Sequence, residues 1–117
     1  MEEYTKVTLE IRIRKAGVVP ILELEGEIDL STSPRLKQAV YNLIEAGNKN
    51  IVLDLSGVKF MDSTGLGTLV GALKKTSMQS GTVKLICPSK NILKTFTLTG
   101  LDKVFLIYDN LRECLGE

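Results

Sequence analysis

The stretch "IVLDLSGVKFMDSTGLGTLVGALK", residues 51–74, changes from a strand pattern to a helix pattern across a short polar turn. Four of its first five residues are apolar, which is typical of a central strand covered on both faces. From Leu66 onward, apolar residues recur three, four and seven positions further along, which predicts a helix with one core-facing stripe ending near Met78. A strand that leads into a helix is the repeating unit of a parallel α/β sheet.

The rest of the chain continues this alternation. Two strand patterns precede the stretch, and helix and strand patterns then alternate, which requires right-handed crossovers and a mostly parallel sheet. We therefore predict an α/β fold: a mixed, mostly parallel sheet of about five strands, an N-terminal β-hairpin, and three to four helices packed on the sheet. Besides the central strand, the predicted strands are residues 6–13, 18–26, 82–87 and 103–108.

Polar residues and glycines mark the ends of the predicted helices. Ser33 is expected to cap the first helix, with Pro34 at its first helical position, where no amide hydrogen is needed. Gly47 and Gly100 are typical of the ends of the first and third helices. Asp109 is expected to cap the last one.

Size, charge and cysteine content narrow the classes of function. A chain of 117 residues suits one domain over residues 1–117, and its 15 basic and 14 acidic residues create no field that would attract nucleic acid or a membrane. The apolar runs are too short to cross a bilayer, and the acidic N-terminus does not resemble a signal peptide. Cys87 and Cys114 form no CxxC motif, so we expect a reduced, cytoplasmic protein with both thiols as apolar fillers.

The sequence argues against catalysis. It contains no histidine, which excludes serine and cysteine triads, histidine phosphorelay and most zinc sites. The glycines at 65, 67 and 71 are spaced one residue too widely for a dinucleotide fingerprint, and the stretch lacks the Gly-Lys-Ser/Thr end of a P-loop. Ser63 has no neighbouring histidine or lysine to act as its base. We expect no catalytic residue, metal or cofactor.

The turn at residues 62–65 follows the carboxyl end of a central strand, where open α/β sheets most often hold their sites. Asp62 or Ser63 is expected to cap the helix that follows. A phosphoryl group on Ser63 would lie at a helix N-terminus, where the dipole tolerates an anion, and would add a charge of about −1.5 to −2 beside Asp62. The fold would survive this change, but a partner pressed against the turn would no longer fit.

The first two turns of this helix carry few large side chains outside the apolar stripe. Gly67, Thr68 and Gly71 lie off the apolar stripe, so we expect them to face solvent. Each glycine costs about 1 kcal/mol relative to alanine, which favours a surface that another molecule approaches closely. The alternative is that the glycines only make room for a neighbouring loop.

Three stretches together resemble the bacterial anti-sigma-factor antagonists, the single-domain form of the STAS fold, in the right order over nearly the whole chain. They are "GEIDLSTSPRL", "IVLDLSGVKFMDSTGLGTLVGALK" and "FTLTGLDKVFLIYDN". The most specific part is "FMDSTGLG", where the family has an aspartate, the phosphorylatable serine, a second hydroxyl residue and Gly-Leu-Gly. By this resemblance Ser63 is the phosphorylation site.

The resemblance implies a switch between partners. The unphosphorylated antagonist binds an anti-sigma factor that is also an ATP-dependent serine kinase, and so frees the sigma factor; the kinase then phosphorylates the antagonist and loses it, and a serine phosphatase restores it. We expect no direct contact with nucleic acid or membrane, and a monomer. The residues expected to contact the partner are Asp29, Ser31, Asp62, Ser63, Thr64, Gly65, Gly67, Thr68 and Gly71.

Other interpretations remain open at this point. Relatives within transporters and larger sensors bind small ligands, so the chain could be a stand-alone STAS module that senses a nucleotide or a lipid. It could also be a phospho-regulated scaffold in a signalling complex without a sigma factor. Asp29, instead of contacting a partner, could be a turn or capping residue ahead of the first helix.

Overall fold

A computed structural model of the protein describes residues 9–116. Its strands are β1 (Leu9–Ala16), β2 (Val19–Ile28), β3 (Asn50–Met61), β4 (Thr82–Ile86) and β5 (Leu106–Tyr108). Its helices are α1 (Ser33–Glu45), α2 (Ser63–Ser77), α3 (Lys90–Thr99) and α4 (Leu111–Cys114), with a 3-10 turn at Leu101–Lys103. Residues 6–8 of the predicted first strand lie outside the described residues.

The five strands form one sheet in the order β1-β2-β3-β4-β5. The β1–β2 pair is antiparallel, and the pairs β2–β3, β3–β4 and β4–β5 are parallel. The predicted mixed, mostly parallel sheet with an N-terminal hairpin is therefore confirmed. Within residues 9–116, no helix combines the length and the apolar character needed to cross a membrane.

The main core lies between one face of the sheet and the helices α1, α2 and α3. Leu22 and Leu53 from the sheet, Leu36 from α1 and Leu69 from α2 are all fully buried in it. Burial of one such side chain contributes about 1.5–3 kcal/mol, so this layer supplies most of the stabilisation of the fold.

A smaller cluster of Ile21, Val52, Ile86 and Cys114 lies on the opposite face of the sheet, where α4 covers it. Alternate residues of a strand point to opposite faces, which is why Ile21 and its neighbour in sequence enter different clusters. Cys114 here and Cys87 in the main core are buried free thiols, which confirms the expectation that both are apolar fillers. Burial raises the pKa of Cys87 to about 11 and also raises the pKa of Cys114.

Two predicted helix caps are wrong. α1 begins at Ser33 itself, with Thr32 at the capping position, because the turn after β2 holds Thr32 in hydrogen bonds of its own. The Ser33 hydroxyl is buried and has no hydrogen-bond partner among the described residues. α4 is capped by Asn110 and not by Asp109, because Asn110 has the extended backbone from which its side chain reaches the Glu113 amide, at 2.9 Å.

The last strand is shorter than predicted. Residues 103–108 have the apolar pattern of a strand, but only β5 pairs with β4. After Gly100, whose positive φ of 77° ends α3, the chain makes a 3-10 turn that carries Phe105 into the core. The Phe105 ring meets Phe96 edge to face, with 5.7 Å between ring centroids, and β5 begins at the next residue, Leu106.

β3 is longer than the predicted central strand and continues to Met61. Its pairing with β2 shifts register twice, between Glu23 and Glu25 and again between Gly26 and Glu27. Because of these bulges β2 and β3 end together, with Ile28 opposite Met61. The loops that follow the two strands therefore leave the sheet side by side.

Candidate functional site

The turn after β3 lies against the end of β2. The backbone amide of Asp62 donates a hydrogen bond to the carbonyl oxygen of Ile28, at 3.1 Å. Asp29 and Asp62 thus begin adjacent segments at the carboxyl edge of the parallel strands, which is where open α/β sheets place their sites. The fold brings together two segments that are more than thirty residues apart in the sequence.

Asp62 is the residue that caps α2. Its backbone is extended, and its Oδ1 atom accepts a hydrogen bond from the Gly65 amide at 2.9 Å. Of the two predicted candidates Asp62 is thus correct, which leaves the Ser63 hydroxyl free of the capping role. Ser63 is the first residue of the helix and is exposed. The hydroxyl lies where the positive end of the helix dipole favours an anion.

The solvent-facing side of the first two turns of α2 carries only small side chains. Thr64 and Gly67 are exposed, and a methyl group added at Gly67 would meet no atom within 4 Å beyond its chain neighbours and the adjacent backbone of its own helix. Thr68 is half-buried, and its hydroxyl donates a hydrogen bond to the Thr64 carbonyl oxygen at 3.2 Å. The prediction that these positions face solvent is confirmed for Gly67 and holds only in part for Thr68.

Gly65 and Gly71 face other parts of the same protein. Gly65 is buried, and a methyl group there would lie 2.6 Å from the Ile28 side chain and 2.8 Å from the Ile28 carbonyl oxygen. Gly65 therefore lets α2 begin directly against β2, and its Cα is not open to a partner. The expectation that Gly71 faces solvent is wrong in part: Gly71 is half-buried, and a methyl group there would lie 3.2 Å from the Tyr41 hydroxyl of α1.

Asp29 organises the neighbouring loop. Its Oδ1 atom accepts hydrogen bonds from the Ser31 amide at 2.9 Å, the Ser31 hydroxyl at 2.8 Å and the Thr32 amide at 3.1 Å. The Thr32 hydroxyl in turn accepts from the Asp29 amide and donates to the Glu27 carbonyl oxygen. The Ser31 hydroxyl bond, with the amide bonds, lowers the pKa of Asp29 against the opposing effect of burial. Asp29 is thus at least the turn residue that the sequence allowed, and Ser31 is exposed beside it.

Two exposed apolar side chains next to the site were missed by the sequence reasoning. Leu30 follows Asp29 and is 73% exposed, and Phe60 lies two residues before Asp62 and is 49% exposed. Leu30 could have been noticed as an apolar residue within a polar loop. The exposure of Phe60 could not, because it depends on the register shift opposite Glu27.

A family model described as "STAS domain" matches residues 10–114. The chain is also 37% identical over 105 residues to a protein of Listeria monocytogenes named anti-sigma-B factor antagonist, which covers 86% of this chain and 88% of the relative. This chain belongs to the anti-sigma-factor antagonists of the STAS domain family.

Solved structures of the family have the same fold as this anti-sigma-factor antagonist. A crystal structure of a candidate anti-sigma factor antagonist from Thermotoga maritima superimposes with a TM-score of 0.86 at 29% identity, covering 91% of this chain and 92% of the other. A crystal structure of an anti-sigma factor antagonist from Mycobacterium paratuberculosis gives a TM-score of 0.80 at 31% identity, covering 93% and 92%. The fold is therefore the STAS fold that the sequence motifs indicated.

One cleft of this STAS domain, beside β5, is poorly suited to a nucleotide. This cleft of about 400 Å³ is lined by Leu93, Phe105 and Leu106 together with Asp102 and Asp109, and no described lysine or arginine lines it. Two carboxylates without a cation repel the phosphates of a nucleotide. Residues 9–116 also contain no group of three or more acidic or thiol side chains that could hold a metal ion.

Proposed function

We propose that the unphosphorylated protein binds an anti-sigma factor that has serine kinase activity, and that phosphorylation of Ser63 by this kinase ends the binding. The sigma factor is free while the antagonist holds the kinase, and a serine phosphatase restores the unphosphorylated form. The protein acts in the cytoplasm as a single, monomeric STAS domain. It catalyses no reaction, and ATP is bound by the partner.

The observation that carries the proposal is the exposed position of Ser63 at the first residue of α2, with the capping role taken by Asp62. A kinase needs an accessible hydroxyl, and the fold does not need this one. Membership in the anti-sigma-factor antagonists supports the choice of partner.

The surface around Ser63 suits a protein partner. Thr64 and Gly67 raise no large side chain above the helix, so another backbone can approach closely. The Asp29 loop forms the other side of this surface, and its own hydrogen bonds fix its conformation. The proposed docking residues are Asp29, Ser31, Asp62, Ser63, Thr64, Gly67 and Thr68, with Gly65 and Gly71 as close-packed support beneath them.

Electrostatics explain why phosphorylation would release the partner. The phosphoryl group adds a charge of about −1.5 to −2, which the start of α2 tolerates in the free protein. In an interface the same charge, next to Asp62 and without a matching cation, costs several kcal/mol, and each 1.4 kcal/mol corresponds to about a tenfold change in affinity. We expect binding to weaken about a hundredfold or more without a change in the backbone.

A phosphorylation assay tests the site. The purified protein is incubated with ATP and the anti-sigma factor kinase of its own organism, and the modified residue is identified by mass spectrometry. We expect one phosphate, on Ser63, and none on Ser63→Ala, whereas the matched neighbour variant Thr64→Ala is still modified. Phosphate on Thr64 or Ser31, or equal incorporation by Ser63→Ala, would contradict the proposal.

A transcription assay separates the antagonist from a scaffold that serves another pathway. RNA polymerase with the sigma factor is inhibited by the anti-sigma factor, and the protein is then added. We expect the wild type and Ser63→Ala to restore transcription and Ser63→Asp to fail. If the wild type binds the kinase but restores no transcription, the partner serves another process.

A further inference from the structure

On the outer side of the contact between α1 and α2, Tyr41 lies between Lys37 and Lys75. These three residues are called the Tyr41 seam. The ammonium groups of Lys37 and Lys75 lie 5.4 Å and 4.9 Å from the centroid of the Tyr41 ring. Glu45 approaches Lys75 at 3.9 Å, so its carboxylate offsets one of the two lysine charges, although an exposed ion pair of this kind contributes little to stability. The Tyr41 ring packs against the main core, and two lysine ammonium groups lie over it, a placement that neither the capping of α2 nor the core requires of the lysines.

The Tyr41 seam lies further along the same two helices from the turn at residues 62–65 and the adjacent Asp29 loop, which together are called the Ser63 corner. α1 and α2 both start at the carboxyl edge of the sheet and pack against each other, and the Tyr41 hydroxyl lies against Gly71. Tyr41 and Gly71 are each eight residues from the start of their helix, which at 1.5 Å per residue is about 12 Å from the corner. Gly67 lies between and carries no side chain, so one flat partner surface can touch both ends.

The two ends carry opposite charges. Asp29 and Asp62 make the corner negative, and the two lysines of the seam outweigh Glu45 and leave it positive. We propose that the docking surface extends from Ser63 to the Tyr41 seam, and that the anti-sigma factor kinase places an acidic segment there. The inference rests on the proposed function, because the partner is the same kinase. Opposite charges at two separated points favour one alignment of a partner that carries the complementary pattern over the reversed one.

The geometry of the seam favours this use. The ring of Tyr41 holds both ammonium groups in place through cation–π contacts, so less side-chain freedom is lost when carboxylates bind. Tyrosine is also one of the residues on which binding energy concentrates in interfaces. An acidic segment of the kinase would therefore find the seam already arranged.

The test is a charge reversal with a matched control. The affinity of the purified kinase is measured for the wild type, for Lys37→Glu/Lys75→Glu, and for Lys94→Glu/Lys103→Glu, which changes net charge equally at exposed lysines of α3 and the 3-10 turn. We expect the seam variant to bind about tenfold or more weakly than the wild type, mainly through slower association. The difference in affinity between these two proteins is expected to become smaller in high salt. The control is expected to stay within about twofold.

Two further variants make every outcome decisive. Lys37→Gln/Lys75→Gln removes the charges without repulsion, with folding checked by thermal denaturation, and is expected to bind about threefold or more weakly. Binding of Lys37→Gln/Lys75→Gln within twofold of the wild type, whatever the charge reversal does, or an equal loss in the control, overturns the inference. Ser63→Asp is measured alongside: if it alone loses binding, the seam inference fails and the proposed switch stands. If the wild type binds no anti-sigma factor kinase of the organism, both fail.

Discussion

Two glycines of α2, only two residues apart, serve opposite purposes. A methyl group at Gly67 would meet nothing, whereas one at Gly65 would collide with the backbone of Ile28. Of these two positions, the fold therefore requires glycine at 65 and not at 67. The glycine at 67 costs stability without a structural reason, which fits a position kept bare for a partner.

The substitution Gly67→Ala is expected to stabilise the free protein by about 1 kcal/mol, because alanine is the better helix residue and the space is open. The melting temperature should rise by about 4 °C. Gly65→Ala is the matched control and is expected to destabilise by about 1–3 kcal/mol through overpacking. Thermal denaturation measures both, and a loss of stability in Gly67→Ala would contradict the description of an open surface.

At the scale of the helix, Asp62 combines a structural role with a charge. Its bond to the Gly65 amide satisfies one of the donors at the start of α2. Asp62→Ala is expected to cost about 1 kcal/mol, and Asp62→Asn, which keeps the acceptor, only a few tenths. Urea unfolding measures the difference. If the two variants are equally stable, the side chain does not cap the helix.

The loop after β2 depends on an ionised Asp29. Because hydrogen bonds lower its pKa in the folded protein, its contribution to stability is present above the ordinary value of 3.8 and is lost as pH falls below 3.8 through the lowered pKa. An NMR titration is expected to place the carboxyl midpoint below 3.8 in the wild type and closer to 3.8 in Ser31→Ala. A wild-type midpoint at or above 3.8 would show that these bonds do not form.

At the scale of the whole molecule, the order and type of the elements could be predicted from the sequence because each element buries one local stripe. The apolar run at 51–55 and the stripe from Leu66 each decide their element without long-range information. Where an element ends is decided by contacts from elsewhere. The pattern of residues 103–108 predicts a strand. In the structure, however, Phe105 packs against Phe96 and the strand starts only at Leu106.

The same limit applies to the candidate site. The motif around Ser63 predicted an exposed hydroxyl at a helix start, since capping and periodicity are local. It could not predict that Gly71 touches Tyr41, which depends on how α1 packs against α2. Nor could it predict the exposure of Phe60, because the bulges between β2 and β3 change which face that residue occupies.

The most direct test of the proposed switch compares two forms of the intact protein that differ only by a phosphate on Ser63. The affinity of each for the anti-sigma factor kinase is measured by calorimetry, and the fold of each is compared by amide NMR spectra. We predict about a hundredfold or greater loss of affinity on phosphorylation, with shift changes confined to the segments around Asp29 and Ser63. Equal affinity of the two forms would contradict a charge-based switch at this position.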